Sequence, residues 1–275
     1  MATDDERPSG SFGSALGFAV IFCGLAAVGT YLVVAKTWWF PESISTIAPA
    51  IDAQFDRTML LSGIIFVLAQ VALGLLIFRF RDRGQQATYS HGNTTLEIVW
   101  TAATAVIFVG LALAARSAWA SLHFLGPDPG SMQIEVTGAQ FEWQFRYPGP
   151  DGKFGSIDPK RISESAGNPL GLDLNEPAAK DDIVAREIAV PVNRPVELIL
   201  RTKDVIHNFA VPQLRIKQDS VPGLAIRIHF TANKIGEYEV ACMELCGLGH
   251  YKMRTTFRVL SDQDFDKWLK DNASK

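Results

Sequence analysis

The run Thr58–Phe78, TMLLSGIIFVLAQVALGLLIF, carries no charged residue, and Arg57 and Arg79 close it at its two ends. An α-helix rises about 1.5 Å per residue, so about 20 residues cross a hydrocarbon layer roughly 30 Å thick. Working outward, Ala15–Ala35 is a second uncharged run, and Ile98–Ala115, between Glu97 and Arg116, is a third. One such run alone would also suit a buried core helix; three before residue 120 predict membrane spans.

The loop between the second and third runs holds Arg79, Arg81 and Arg83. Basic residues in short loops stay on the cytoplasmic side, so the third span runs outward and exports everything after residue 120. The N-terminus reads Asp4, Asp5, Glu6, Arg7, without the basic start of a cleaved signal. The first run is therefore expected to be retained, with Trp38, Trp39 and Phe40 as its outer interfacial belt. The expected organisation is an N-terminal region 1–57 with an extra span at 15–35, a helical hairpin at 58–119 and an exported domain at 120–275.

Beyond Met132 the period becomes two. Phe141, Trp143, Phe145 and Tyr147 alternate with Glu142, Gln144 and Arg146, and Ile226, Ile228 and Phe230 alternate with Arg227, His229 and Thr231. Similar patterns at Glu237–Val240 and Met253–Val259 predict several short antiparallel strands in a sandwich or barrel. The proline-punctuated stretch 148–185 reads as a long surface excursion. Ser261 followed by Phe265, Trp268 and Leu269 predicts a short capped helix that docks at the C-terminal end.

Composition narrows the function. The 275 residues are 48% hydrophobic with a net charge of -3, and 26 basic residues against 29 acidic ones give no basic face for nucleic acid. The cysteines are Cys23, Cys242 and Cys246, too few for a disulfide-built domain, and no Cys-x-x-Cys-His exists to attach a c-type haem.

The segment Cys242-Met-Glu-Leu-Cys246-Gly-Leu-Gly-His250-Tyr-Lys-Met253 places thiols, an imidazole and a thioether close together, and His207 lies upstream in Asp204-Val-Ile-His207. Thiolate, imidazole and thioether form a ligand set that suits copper, with methionine a weak donor. Two cysteines four apart could share a loop between strands, each bridging a pair of ions. Soft ligands without an open oxygen-rich position favour one-electron transfer over hydrolysis. A Cys242–Cys246 disulfide is the ordinary alternative in an exported domain, and zinc another, although methionine is a poor zinc ligand. Cys23, inside a span, reads as a small apolar filler, and His229 as an exposed residue on the polar side of its strand.

From about Phe55 to Trp268 the chain resembles subunit II of haem–copper cytochrome c oxidases. The carrier is Cys-x-Glu-x-Cys-x-x-x-His-x-x-Met after an upstream Asp-Val-x-His. The resemblance implies a transmembrane hairpin followed by a cupredoxin-like Greek-key β-barrel or sandwich, with a dinuclear copper centre (CuA) in the exported domain. Cys242 and Cys246 would bridge the coppers, His207 and His250 would each bind one, Met253 would be a weak ligand, and Glu244 would offer its backbone carbonyl. The Glu244 side chain would also reach a magnesium ion at the border with subunit I.

Gly138-Ala-Gln-Phe141-Glu-Trp143-Gln-Phe145 is similar to the family's aromatic strand Gly-x-Gln-Trp-x-Trp, which receives electrons from cytochrome c. Phe141 stands where a tryptophan is usual, which leaves Trp143 or another exposed aromatic as the alternative point of arrival. Glu97, opening the third span, matches a glutamate at the cytoplasmic mouth of a proton channel; a carboxylate there also suits the helix dipole. The implied partners are the haem-bearing subunit I, subunit III, cytochrome c or another periplasmic donor, and the lipid bilayer of a bacterial inner membrane. The implied activity is reduction of dioxygen to water in subunit I, with proton pumping. A membrane-anchored copper chaperone is the rival reading, but such chaperones use a thioredoxin-like fold with the histidine far downstream. A copper-free quinol-oxidase subunit would lack the ligand residues.

Overall fold

A computed structural model describes residues 12–83, 86 and 88–273. The acidic start at Asp4–Arg7 lies outside the described residues. Within them the chain forms two compact units, one from the first helix to Trp39 plus Asp52–Arg116, the other from Phe40–Ile51 plus Ser117 onward.

Among the described residues three helices are long and apolar enough to cross a membrane: α1 (Phe12–Val34), α2 (Ala48–Arg79) and α3 (Thr94–His123). The last two extend well past the uncharged runs that predicted them, because local caps carry the helix into polar sequence. Ser45 Oγ accepts from the Ala48 amide at the start of α2, and Asn93 Oδ1 accepts from Leu96 at the start of α3. Glu97 lies in the first turn of α3 and Arg79 in the last turn of α2, each complementing the helix dipole. In the helical unit α1 approaches α2 closely at Gly74, where a Cβ would lie 3.3 Å from the Ala19 carbonyl oxygen and 3.6 Å from Cys23 Sγ. Cys23 is otherwise exposed.

The second unit is a sandwich of two five-stranded sheets. The strands in chain order are β1 (Met132–Ala139), β2 (Glu142–Tyr147), β3 (Ile183–Ala185), β4 (Ile188–Pro191), β5 (Pro195–Thr202), β6 (His207–Val211), β7 (Ile216–Ser220), β8 (Ile226–Thr231), β9 (Gly236–Cys242) and β10 (Arg254–Leu260). One sheet has the order β3-β2-β1-β5-β8 and the other β4-β10-β9-β6-β7. Two of the pairings are parallel, β1 with β5 and β10 with β4, and the rest are antiparallel. Apolar side chains from both inner faces, including Val136, Phe145, Leu198, Phe209, Val240 and Phe257, make one core.

Residues Phe40–Ile51, which come before α2 is complete, belong to this sandwich. Ile44 is 1% exposed in its core, and its amide donates to the Gln213 carbonyl while its own carbonyl accepts from Asn233. Ser45 bridges to Ala232, and Phe40 lies under the Arg215 guanidinium.

The alternation in β2 predicts one solvated face, yet Trp143, Gln144, Phe145, Arg146 and Tyr147 are all buried. The stretch 148–185 supplies the cover and is not a bare excursion. It contains the short helix α4 (Pro177–Lys180), strand β3 and a small core of Leu170, Leu172 and Ala179. Arg146 donates to the Gly155 carbonyl, lies over the Phe154 ring, and pairs with Glu135 at 3.1 Å and Asp182 at 3.7 Å. Helix α5 (Asp262–Ala273), capped by Ser261, packs Phe265 and Trp268 against Tyr147. His229 is half-buried rather than exposed, with a ring nitrogen 3.0 Å from the Leu125 carbonyl.

Candidate metal centre

Strand β9 ends at Cys242, and the chain loops out and returns at Met253 to begin β10. The loop is pinned at its neck, since the Cys242 amide donates to the Met253 carbonyl and the Met243 amide to the Asn208 carbonyl. Register brings β6 alongside, with Phe209 opposite Cys242, so His207 at the start of β6 faces the loop. Inside the loop, His250 opens a single 3₁₀ turn, His250–Lys252.

The donor atoms converge. Cys242 Sγ lies 4.0 Å from Cys246 Sγ, 3.9 Å from His207 Nδ1 and 3.2 Å from the Glu244 carbonyl oxygen. On the other side, Cys246 Sγ lies 3.5 Å from His250 Nδ1 and 3.8 Å from Met253 Sδ. The thiols sit in the middle with an imidazole on each flank. His207 and Met253 are 0% and 1% exposed, Cys242 and Cys246 are buried, and His250 is half-buried. Such separations are those of neighbouring ligands around an ion bonded at about 2.0–2.3 Å. Two thiols, two imidazoles and a thioether form a soft donor set that fits copper and leaves no hard oxygen-rich position. Both cysteines are free. Burial, and then the neighbouring Cys242, push the Cys246 thiol up to about 11, so the proton it holds must leave when a metal binds.

Three residues around this cluster, Asp204, Gly138 and Gly249, shape it from outside the donor set. Asp204 Oδ1 accepts from His207 Nε2 at 2.8 Å, which turns Nδ1 toward Cys242. Partial burial works against the Asp204 charge, yet hydrogen bonds from Gln140, His207 and Val205 hold its carboxyl below the usual aspartate range. Gly138 and Gly249 admit close approach: a Cβ on Gly138 would lie 2.9 Å from the His207 ring, and one on Gly249 2.3 Å from the Phe141 ring. The sequence signal was present in the glycine of Gly138-Ala-Gln and the aspartate of Asp204-Val-Ile-His, but only the fold shows what they touch.

The other expected residues are spread. Phe141 is half-buried with its ring against Gly249, beside His250. Trp143 is 2% exposed and so is not a surface aromatic; its ring centroid is 6.0 Å from that of His207 and 5.7 Å from that of Phe209. The inward pleat of β2 accounts for this, because position 143 points into the core. The Glu244 side chain is exposed. Glu97 belongs to the helical unit, exposed in the first turn of α3.

The family profile described as "Cytochrome C oxidase subunit II, periplasmic domain" matches residues 132–259, and that described as "Cytochrome C oxidase subunit II, transmembrane domain" matches 34–117. The alternative cytochrome c oxidase subunit 2 of Bradyrhizobium diazoefficiens is 33% identical over 255 residues, covering 91% of this chain and 90% of that protein. This chain belongs to the cytochrome c oxidase subunit II family. The cytochrome c oxidase subunit 2 of Synechocystis sp. is 29% identical, covering 90% of this chain and 81% of its own length. Among solved structures, the periplasmic domain of subunit II of cytochrome oxidase from Bradyrhizobium japonicum aligns at a TM-score of 0.40 and 28% identity, over 55% of this chain and 96% of that one.

As a subunit II, the chain is an electron-transfer component of a haem–copper oxidase, anchored in a membrane with a periplasmic domain that carries a copper site. The thioredoxin-like chaperone reading is set aside by this membership and by the two stacked sheets that hold the thiols.

Proposed function

We propose that Cys242 and Cys246 bridge a pair of copper ions (CuA), with His207 and His250 each on one ion, Met253 a weak donor and the Glu244 carbonyl on the other side. The observation that supports this most is the arrival of His207, wholly buried, within 3.9 Å of a thiol that lies far downstream in sequence. When bound, a thiolate-bridged copper pair shares one unpaired electron and exchanges it with little change in geometry.

The chain's own residues then divide the work. Phe141, lying on the loop beside His250, is the place where an electron from cytochrome c or another periplasmic donor arrives, and buried Trp143 forms an interior path against the His207 ring. The electron leaves for a haem in subunit I, where dioxygen is reduced to water and protons are pumped. Glu97, exposed at the start of α3, takes up protons at the cytoplasmic mouth of a channel. The exposed Glu244 carboxylate reaches a magnesium ion at the border with subunit I. The setting is a bacterial inner membrane, with subunit III as a further partner.

The test is metal analysis and paramagnetic resonance of the full-length chain. The expected result is two coppers per chain and the multi-line pattern of one electron shared by both, in a purple protein. A copper-free chain after loading, or the spectrum of isolated single coppers, would overturn the proposal.

A further inference from the structure

The ligand residues come from two places in the chain, and one side chain outside both connects them. Gln140 sits in the turn between β1 and β2, in the sheet opposite the one that bears the thiols. Its side-chain amide Nε2 donates a short hydrogen bond to the Cys246 carbonyl oxygen. Its backbone N–H donates to Asp204 Oδ2 at 2.7 Å, and the other oxygen of Asp204 accepts from His207 Nε2 at 2.8 Å. A continuous path of hydrogen bonds therefore runs from the His207 ring through Asp204 and Gln140 to the backbone of Cys246. Asp204 is further fixed by the Val205 amide at 2.7 Å.

We infer that Gln140 is a positioning residue that braces the two halves of the copper site, holding the Cys246 loop at a set distance from the His207 ring. The inference rests on the copper reading above. Its physical basis is that the loop is pinned by backbone bonds only at its neck, while the apolar residues flanking Cys246 at its tip face outward. Leu245 and Leu248 are 79% and 98% exposed, and Gly247 between them holds φ +135° with the Gln140 amide close by. A loop so exposed has few apolar contacts to fix it, and a tether at the carbonyl of the ligand itself limits how far the sulfur can drift. Partners outside the ligand shell that orient a ligand in this way typically alter metal affinity by about 10–100-fold when removed. Gln140 itself is exposed, so changing its side chain opens no cavity in the core.

The experiment uses the full-length chain in detergent, titrated with copper against a competing chelator. Gln140→Met keeps length and removes the donor; copper affinity is expected to fall about 10–100-fold. The spacing of the multi-line resonance pattern should change with it, a readout that general loss of stability would leave alone. Gln140→Lys restores an N–H donor at similar reach and should recover most of the lost affinity. The melting temperature of the copper-free chain should be the same in all three proteins. Unchanged affinity and resonance pattern in Gln140→Met, or a fall in the copper-free melting temperature that accounts for the loss, would overturn the brace. A wild-type chain without the paired-copper signal would instead overturn the copper reading itself, and this inference with it.

Discussion

At the mouth of the sheet that holds β6 and β9, four donor atoms of His207, Cys242, Cys246 and Met253 are buried with separations between neighbours of 3.8–4.0 Å. On the outer face of β1 and β2, Arg146, Glu135 and Asp182 are also buried, with nitrogen–oxygen separations of 3.1 and 3.7 Å. The second group balances its charges internally, a cation between two carboxylates with Arg201 beside Glu135, while Arg146 Nη1 and Asp182 Oδ1 are without a hydrogen-bond partner among the described residues. The first group gains nothing comparable from its neighbours: sulfur against imidazole nitrogen at these distances is a poor hydrogen bond. Buried polar atoms that answer one another are architecture, and buried donors that all point at a common space require an ion to complete them.

Four substitutions test this contrast. The largest effect is expected from Cys246→Ser, which removes a shared ligand. The paired-copper resonance should vanish altogether while the sandwich stays folded by circular dichroism; retention of the full signal would remove the thiol from the centre. Next, Arg146→Met leaves the Asp182 carboxylate without its cation, with Arg201 still beside Glu135, and should cost about 3–5 kcal/mol in denaturant unfolding of the full chain. The copper resonance of the folded fraction should be unaltered, and a changed resonance would join the two regions that the comparison separates.

Trp143→Ala empties a buried position next to the His207 ring, at about 3–5 kcal/mol. It should also slow electron uptake in a copper-loaded sample, whereas Trp143→Phe should retain most of the stability and still slow uptake. Equal uptake in wild type and Trp143→Phe would move the electron path off this residue.

The smallest effect concerns Asp182. Burial raises its carboxyl above the ordinary aspartate value near 3.9, with donation from Gly155 and the Arg146 charge only partly offsetting this. A carboxyl raised in the folded state holds its proton longer there than in the unfolded chain, so its contribution to stability falls as pH rises through that window. The stability of wild type minus that of Asp182→Asn should therefore decline from pH 3.5 to 6, measured by urea unfolding at each pH (roughly the span above the ordinary value). A difference that rises with pH would reverse the assignment.

Much of this was legible in the residues. The uncharged runs located the spans, because a bilayer imposes a length that sequence must meet. Alternation placed strands β2, β8, β9 and β10, and the spacing from Cys242 to Met253 put the ligand types on one loop. Three things were not legible, each because it depends on contacts distant in sequence. The outward-facing residues of β2 carry the signature of a wet face, yet Arg146 is buried by a segment whose prolines and acids read as solvated. Trp143 looks like any strand aromatic until the pleat turns it inward. The side chain of Gln140 bonds to a carbonyl 106 positions away, a separation that no local pattern encodes.

Ile44 brings a consequence of its own. It fills part of the sandwich interior although it is translated before either of the two later helices, so the exported domain takes a plug from a segment that precedes the hairpin in the chain. A soluble fragment that starts after α3 would be missing that plug, and truncating a buried isoleucine to alanine alone typically costs about 2–5 kcal/mol. A fragment for solution work should therefore have residues 40–47 spliced ahead of Ser117, returning to the domain the piece that the linear order of the chain hides.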